Sequence, residues 1–216
     1  MPRPYILAET NWKHLKNESF DLAILPWGAT EAHNYHLPYA TDVIEGTSIA
    51  EESARIAWEK GSKVVVLPTI PFGVNTEQPR WKQLEGHRSG IGLLFPEMFL
   101  CITNWFKLGS ESGVFELPGD HADEMETSLI LHLAPELVLP REEWGSGKEL
   151  KNKIKAFTEG WAWSESPWSK IREDTGVGDP SKATKVKGEV FFNMVCAKMG
   201  QLFVDIAQTD MDELYQ

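Results

Sequence analysis

An α/β fold, a three-layer sandwich around a mostly parallel sheet with a shortened middle, is what the sequence predicts, and three stretches carry that prediction. Leu22 to Pro26 is a short apolar run closed by Pro and Gly. From Val43 to Lys60, apolar and small residues recur at alternating steps of four and three, the spacing of a helix with one packed face. Lys63-Val-Val-Val-Leu-Pro is then a β-branched run of the kind that parallel sheets bury on both faces. Strand, helix and strand in that order imply a right-handed crossover with helices laid on the sheet.

In the first helix Val43, Thr47, Ala50, Ala54 and Ala57 form the packed face, Glu51, Glu52, Arg55 and Glu59 face water, and Gly61 stops it. The second strand leads into a long Gly- and Pro-rich connection, a length that in a compact domain is usually functional. It holds His87, either an ordinary loop histidine or a ligand. Pro96 opens a helix in which Met98, Ile102 and Trp105 share a face, with Gly109 just past its end. Asp120 is able to cap a helix that runs to Leu133 with Met125, Leu129 and Leu133 as its packed stripe, and Pro135 ends it. His132 on that helix reads as a core or surface residue. Lys148 to Phe157 reads as a basic helical segment. Trp144, Trp161, Trp163 and Trp168 form either a packing or oligomer patch or a wall against a flat, partly cationic substrate. The last helix, Glu189 to Gln208, aligns Phe191, Val195, Met199, Leu202 and Ile206.

The 216 residues read as a single domain, residues 1–216, without internal repeats. A formal charge of −11 disfavours a nucleic-acid backbone or an anionic membrane as partner. No stretch approaches the roughly 20 apolar residues of a membrane span, and the start lacks the apolar core of a secretory signal. Cys101 and Cys196 fall in helix-like segments without a pairing motif, as free thiols in a reducing cytoplasm would.

The chemistry concentrates between the first strand and the first helix, at Glu31, His33, His36 and Asp42. Imidazole and carboxylate offer lone pairs near neutral pH, and an oxygen-rich set suits Zn, Mn or Fe better than a thiolate site would. An open α/β sheet places its ligands at such a connection. Two local readings compete: Asp42 with Glu45 also matches a helix capping box, and His36 before Leu37-Pro38 also suits a turn. Further on, Asp123, Glu124 and Glu126 crowd a helix start, where acids favour the helix dipole. His121 and Glu124 are three apart and share a face, which suits a proton-transfer residue with an orienting carboxylate.

Residues 24–44, ILPWGATEAHNYHLPYATDVI, resemble the creatininase-family signature L-P-x-G-x-x-E-x-H-G-x-H-L-P-x-x-T-D, with Asn34 at a usual Gly. DHADEMETSLILHLAPELV is similar to that family's H-A-G-E-x-E-T-S-x-x-L-x-x-x-P-x-x-V, with Asp123 at a Gly, and GDPSKATKVKGEVFF to its G-x-P-x-x-A-T-x-x-K-G turn. The resemblance implies a creatininase-like fold with a divalent metal pair, Zn or Mn with Fe also accepted, that activates water against a small, often cyclic, amide. It implies Glu31, His33 and Asp42 as metal ligands with Asp42 bridging, Glu126 as ligand or near-ligand, Glu124 behind them, and His121 as the catalytic residue that assists proton transfer. One segment is missing: only LGSESGVFELPGD stands where the family carries a strand followed by N-G-H-G-G-N and another metal-binding histidine. VFEL is the candidate for a short strand there. A weakened single-metal site, recruitment of His36, His87 or His121 as substitute, or a non-catalytic homologue that binds or assembles are the three consequences. Sheet neighbours left uncovered would be closed by self-association into a homo-oligomer.

Overall fold

The computed structural model describes residues 2–72, 99–108, 112–117, 119–162, 164, 168–210 and 213–214, so His87 and Trp163 lie outside it. Strand β1 (Leu22–Ile24) pairs in parallel with β2 (Val64–Val66), Leu22 opposite Val64 and Ile24 opposite Val66. Single parallel bridges extend the ladder, Trp27 with Ile70 past its end and Ile6 with Val66 on the far edge of β2. All three residues of β2 are buried, as the unbroken Val run predicts for a strand covered on both faces.

Helix α1 (Thr41–Glu59) makes the crossover between the strands. Ala50, Ala54 and Ala57 are buried as expected, joined by Ile49 and Ser53, while Val43 and Thr47 are half-buried. Gly61 follows with φ 90°, the left-handed turn that glycine adopts without penalty. Helix α2 (Glu124–Leu133) and helix α3 (Lys185–Gln208) complete the core, with α3 packed against both α1 and α2. Phe191, Val195 and Met199 are buried on α3 together with Cys196, Phe203 and Val204, a wider stripe than expected, and Leu202 and Ile206 are half-buried. By length and composition α3 reaches what a membrane span needs, which the sequence reading expected of no stretch. Its seat against α1 and α2 makes it the core helix.

Four expectations differ. Of the helix expected from Pro96, Pro96, Met98 and Gly109 lie outside the described residues; residues 99–104 carry no regular structure, Trp105–Lys107 forms a 3-10 turn, and Ile102 is 64% exposed, so that part of the stretch lacks the packing a short helix needs. Cys101 is therefore exposed outside any helix. VFEL forms no strand, because the N–H groups of Glu116 and Leu117 donate to the Glu124 carboxylate at 2.9 and 2.7 Å. The stretch 148–157 is helical only over the turn Lys155–Thr158. Finally, α2 starts at Glu124 with Asp123 as its cap, accepting from the N–H groups of Met125 and Glu126, and not at Asp120. The backbone of Asp120 and His121 is held instead by Val177, at 2.7 and 3.1 Å, which keeps that segment extended.

Gly188, the glycine of K-G, fixes how closely α3 meets α2. A Cβ there would lie 1.9 Å from the Ser128 carbonyl oxygen.

Candidate metal centre

Three polypeptide segments converge beyond the end of β1. The loop 28–40 brings Glu31 and His33, the first turn of α1 brings Asp42, and the start of α2 brings Glu126 and, just before it, His121. Gly28 lets the loop lie on α1, since a Cβ there would meet Val43 Cα at 2.9 Å.

Asp42 does not cap its helix: the N-cap is Ala40, with no side-chain bond. Its carboxylate faces His33, Oδ1 lying 3.2 Å from Nε2. Glu126 Oε2 is 4.0 Å from the same nitrogen and also accepts from the N–H of Ala122. His33 Nδ1 sits 3.1 Å from the Glu31 carbonyl oxygen. A carbonyl only accepts, so Nδ1 donates to it, and Nε2 is the nitrogen that meets the carboxylates: protonated it donates to Asp42, and on losing that proton it offers its lone pair to a cation. This is how a metal-ligating histidine is oriented. His121 is held likewise, Nε2 donating to the Ala32 carbonyl at 2.8 Å, with Nδ1 3.9 Å from Glu31 Oε1 and its ring centroid 4.1 Å from that of His33. The potential ligand atoms form two overlapping groups, Glu31 with His33 and His121, and His33 with Asp42 and Glu126, each within 4.8 Å.

The electrostatics favour a cation. Burial works to lower the His33 pKa, but the hydrogen bond to Asp42 and the charges of Glu126 and Asp42 outweigh it and lift it to about 9. Burial lifts Glu126 to about 8, against the pull of His33 and with the help of Asp123 and Asp42. Glu45, one turn beyond Asp42, is 1% exposed, and its Oε1 has no hydrogen-bond partner; burial, then the charges of Glu126, Asp42 and Asp123, raise its pKa well above the ordinary range. Imidazole nitrogens and carboxyl oxygens crowded together, with burial and mutual repulsion raising the carboxyl groups' affinity for protons, fit a divalent metal ion that would take the protons' place.

The pH dependence has a definite sign. The contact of His33 with its carboxylates stabilises the metal-free fold fully below pH 6.5 and is lost as pH rises through 9. Glu126 acts in the same direction as pH rises from 4.5 through 8. Thermal melts of the metal-free protein are expected to show a midpoint that falls across pH 6.5–9. Saturating zinc, which binds imidazole and carboxylate deprotonated, is expected to hold the midpoint level. A metal-free midpoint that rises over that window would contradict this electrostatic picture.

Several candidates take other parts. His36 is buried, with Nε2 2.9 Å from Thr127 Oγ1 and its ring stacked on Trp144 at 4.7 Å, and burial pushes its pKa down to about 4. It lies in the turn between His33 and Leu37, as a turn histidine would, serves there as a strut between loop and helix, and belongs to neither group of potential ligand atoms found among the described residues. Glu124 does not orient His121; fully buried, it pairs with Lys187 of α3. The E-T-S triplet thus divides its work. Glu126 faces the centre, Thr127 meets His36, and Ser128 donates to the Glu124 carbonyl and accepts from the N–H of Thr184. His132 packs on Phe192, away from the centre, and Trp161 is 74% exposed.

Sequence reasoning passed over the clamp that holds the loop. Asp174 accepts from the N–H groups of Gly147 and Gly176, the Asn34 side chain bonds the backbone of Gly145, and Thr175 Oγ1 accepts from the Asn34 N–H while donating to the Ala32 carbonyl. Asn34, Ala122 and Thr175 all have positive φ, at 54°, 49° and 63°. Asn tolerates that conformation, which explains Asn34 at a usual glycine. Only the Asn carried a signal; Ala and Thr carry none.

A parallel-sheet α/β scaffold with imidazoles and carboxylates gathered beyond a strand end defines the class: an α/β protein with side chains placed to hold a divalent metal. The chain belongs to the creatininase family, whose model, described as creatinine amidohydrolase, matches residues 8–87 and 93–203. The crystal structure of a putative creatinine amidohydrolase from Bacteroides fragilis is 32% identical, with a TM-score of 0.83 and all of both chains covered. A mycofactocin precursor peptide peptidase from Mycobacterium tuberculosis is 27% identical, over 78% of this chain and 79% of its own. A manganese creatininase shares the fold, with a TM-score of 0.62 at 15% identity over 96% of this chain and 100% of its own.

Proposed function

We propose that this chain is a metal-dependent hydrolase of non-peptide carbon–nitrogen bonds, acting on a small, cyclic or linear, amide. The observation that carries the reading is His33: Nδ1 is tied to a carbonyl while Nε2 lies 3.2 Å from Asp42 and 4.0 Å from Glu126. Glu31, His33, Asp42 and Glu126 are the residues that would hold zinc or manganese, His33 being shared between the Glu31 side and the Asp42–Glu126 side of the centre. A divalent ion bound there would supply a water of pKa about 7 and polarisation of the amide carbonyl. The chain's own part is to fix the donors. The Glu31 carbonyl sets the His33 tautomer, Asp42 is anchored in the first turn of α1, and Glu126 is steadied by the Ala122 N–H. In the overall reaction the oxygen of water joins the amide carbon, the C–N bond breaks, and one hydrogen of water ends on the leaving nitrogen.

A peptide amide is the second reading, favoured by the peptidase relative and by the exposed Trp27, Tyr39 and Phe72 near Glu31. The Glu31 N–H bonds the Tyr39 carbonyl, and Thr30 bonds that of Pro71. The test is a panel of creatinine, other cyclic amides and short peptides with zinc- or manganese-loaded protein. Turnover of a small amide is the expected result. Turnover of peptides alone favours the second reading, and metal binding without any turnover favours a non-catalytic homologue.

A further inference from the structure

The resemblance assigns His121 to proton transfer, yet its surroundings are those of a ligand. We infer that His121 coordinates the metal through Nδ1 together with Glu31 and His33, replacing the histidine of the N-G-H-G-G-N segment this chain lacks. The inference rests on the metal centre proposed above.

The tautomer is the first argument. Nε2 lies 2.8 Å from the Ala32 carbonyl, which can only accept, so the lone pair belongs to Nδ1. His33 is held by the same device with its nitrogens exchanged, its ring N–H on the Glu31 carbonyl. An imidazole whose far nitrogen donates to a backbone carbonyl is oriented as metal-ligating histidines are.

Distance is the second. Two ligands at about 2.1 Å from one ion lie at most about 4.2 Å apart. Nδ1 of His121 and Oε1 of Glu31 are separated by 3.9 Å, inside that limit, and the three atoms, with His33, lie within 4.8 Å of one another, so a movement of roughly half an ångström brings them all within reach of one ion. The missing histidine leaves a ligand short, and among the described residues His121 is the imidazole grouped with Glu31 and His33.

Rigidity is the third. The His121 backbone exchanges hydrogen bonds with Val177, its N–H donating at 3.1 Å and its carbonyl accepting at 2.7 Å. The Ala32 carbonyl takes a second donor, Thr175 Oγ1 at 3.2 Å. Ala122 beside it, Thr175 and Asn34 are all held left-handed. Such conformations cost about 1 kcal/mol or more each and gather where a site needs fixed geometry. A ring anchored in this way suits coordination better than carrying a proton between two positions.

Zinc affinity by chelator competition and the zinc coordination shell by X-ray absorption test this on the wild type, His121→Gln and His121→Cys. The expected results are a loss of affinity of roughly 100-fold or more and fewer imidazole ligands in His121→Gln. In His121→Cys a sulfur neighbour is expected at about 2.3 Å from zinc. Wild-type affinity and imidazole number in His121→Gln, or no sulfur near zinc in His121→Cys, would overturn the inference while leaving the metal centre standing. A wild type that binds no zinc would remove both. Should His121→Gln fail to fold, the sulfur signature decides alone.

Discussion

Asp42→Ala is expected to fold and to lose metal-dependent hydrolysis by roughly 10³-fold, about 4 kcal/mol at 1.36 kcal/mol per tenfold change. The separation of folding from function follows from the helix start. Ala40 is the N-cap and no side chain caps it, so Asp42 gives α1 only a first-turn charge, worth about 1 kcal/mol or less. What Asp42 does beyond that is face His33 Nε2 across 3.2 Å, nearer than Glu126 at 4.0 Å. Circular dichroism and melting of the variant beside its turnover and bound metal would check this. An Asp42→Ala protein that keeps its metal and its rate would show that the carboxylate is helix-start chemistry after all.

Gly188→Ala is expected to be strongly destabilising for so small a change. The added Cβ would meet the backbone carbonyl oxygen of Ser128 at 1.9 Å, and carbon 2.5 Å away, so no side-chain rotation relieves it. Helices α2 and α3 must part, at a cost of about 3 kcal/mol or more, equivalent to roughly 10 °C in melting temperature. The same interface carries the Ser128–Thr184 hydrogen bond and the buried Glu124–Lys187 pair. Glu126 rides on α2 two residues from Glu124, so metal affinity is expected to fall with stability. A melting temperature within about 2 °C of the wild type, read by calorimetry, would mean that the two helices are not held at this distance.

Where the pattern was local, the fold was legible. An unbroken Val run, a four-and-three spacing and an apolar stripe on the last helix each decide one element, and β1, α1 and β2 lie where those patterns put them, while α3 starts at Lys185, before the expected Glu189, because Thr184 caps it. What failed was decided by distant partners. Asp120 and Asp123 are equally good caps by residue type, but Val177, more than fifty residues on, keeps 120–121 extended, so the helix begins at Glu124. VFEL has strand composition, yet its amide groups are taken by Glu124. Glu124 was paired in sequence with His121 at a spacing of three, while in space it answers Lys187.

The centre divides in the same way. Glu31, His33, Asp42, His121 and Glu126 were singled out from residue type, spacing and resemblance, and the fold draws them into one pocket. Which nitrogen of each imidazole points inward was not legible, because it depends on the carbonyls of Glu31 and Ala32. Nor was the burial of Glu45, whose position in sequence reads as half a capping box.

The most direct measurement is an anomalous difference map at the zinc edge from crystals of the chain equilibrated with zinc. The account predicts a peak bounded by His33 Nε2 and the carboxylates of Asp42 and Glu126. A map with no peak in that pocket at saturating zinc, or with zinc only on the surface, would contradict it.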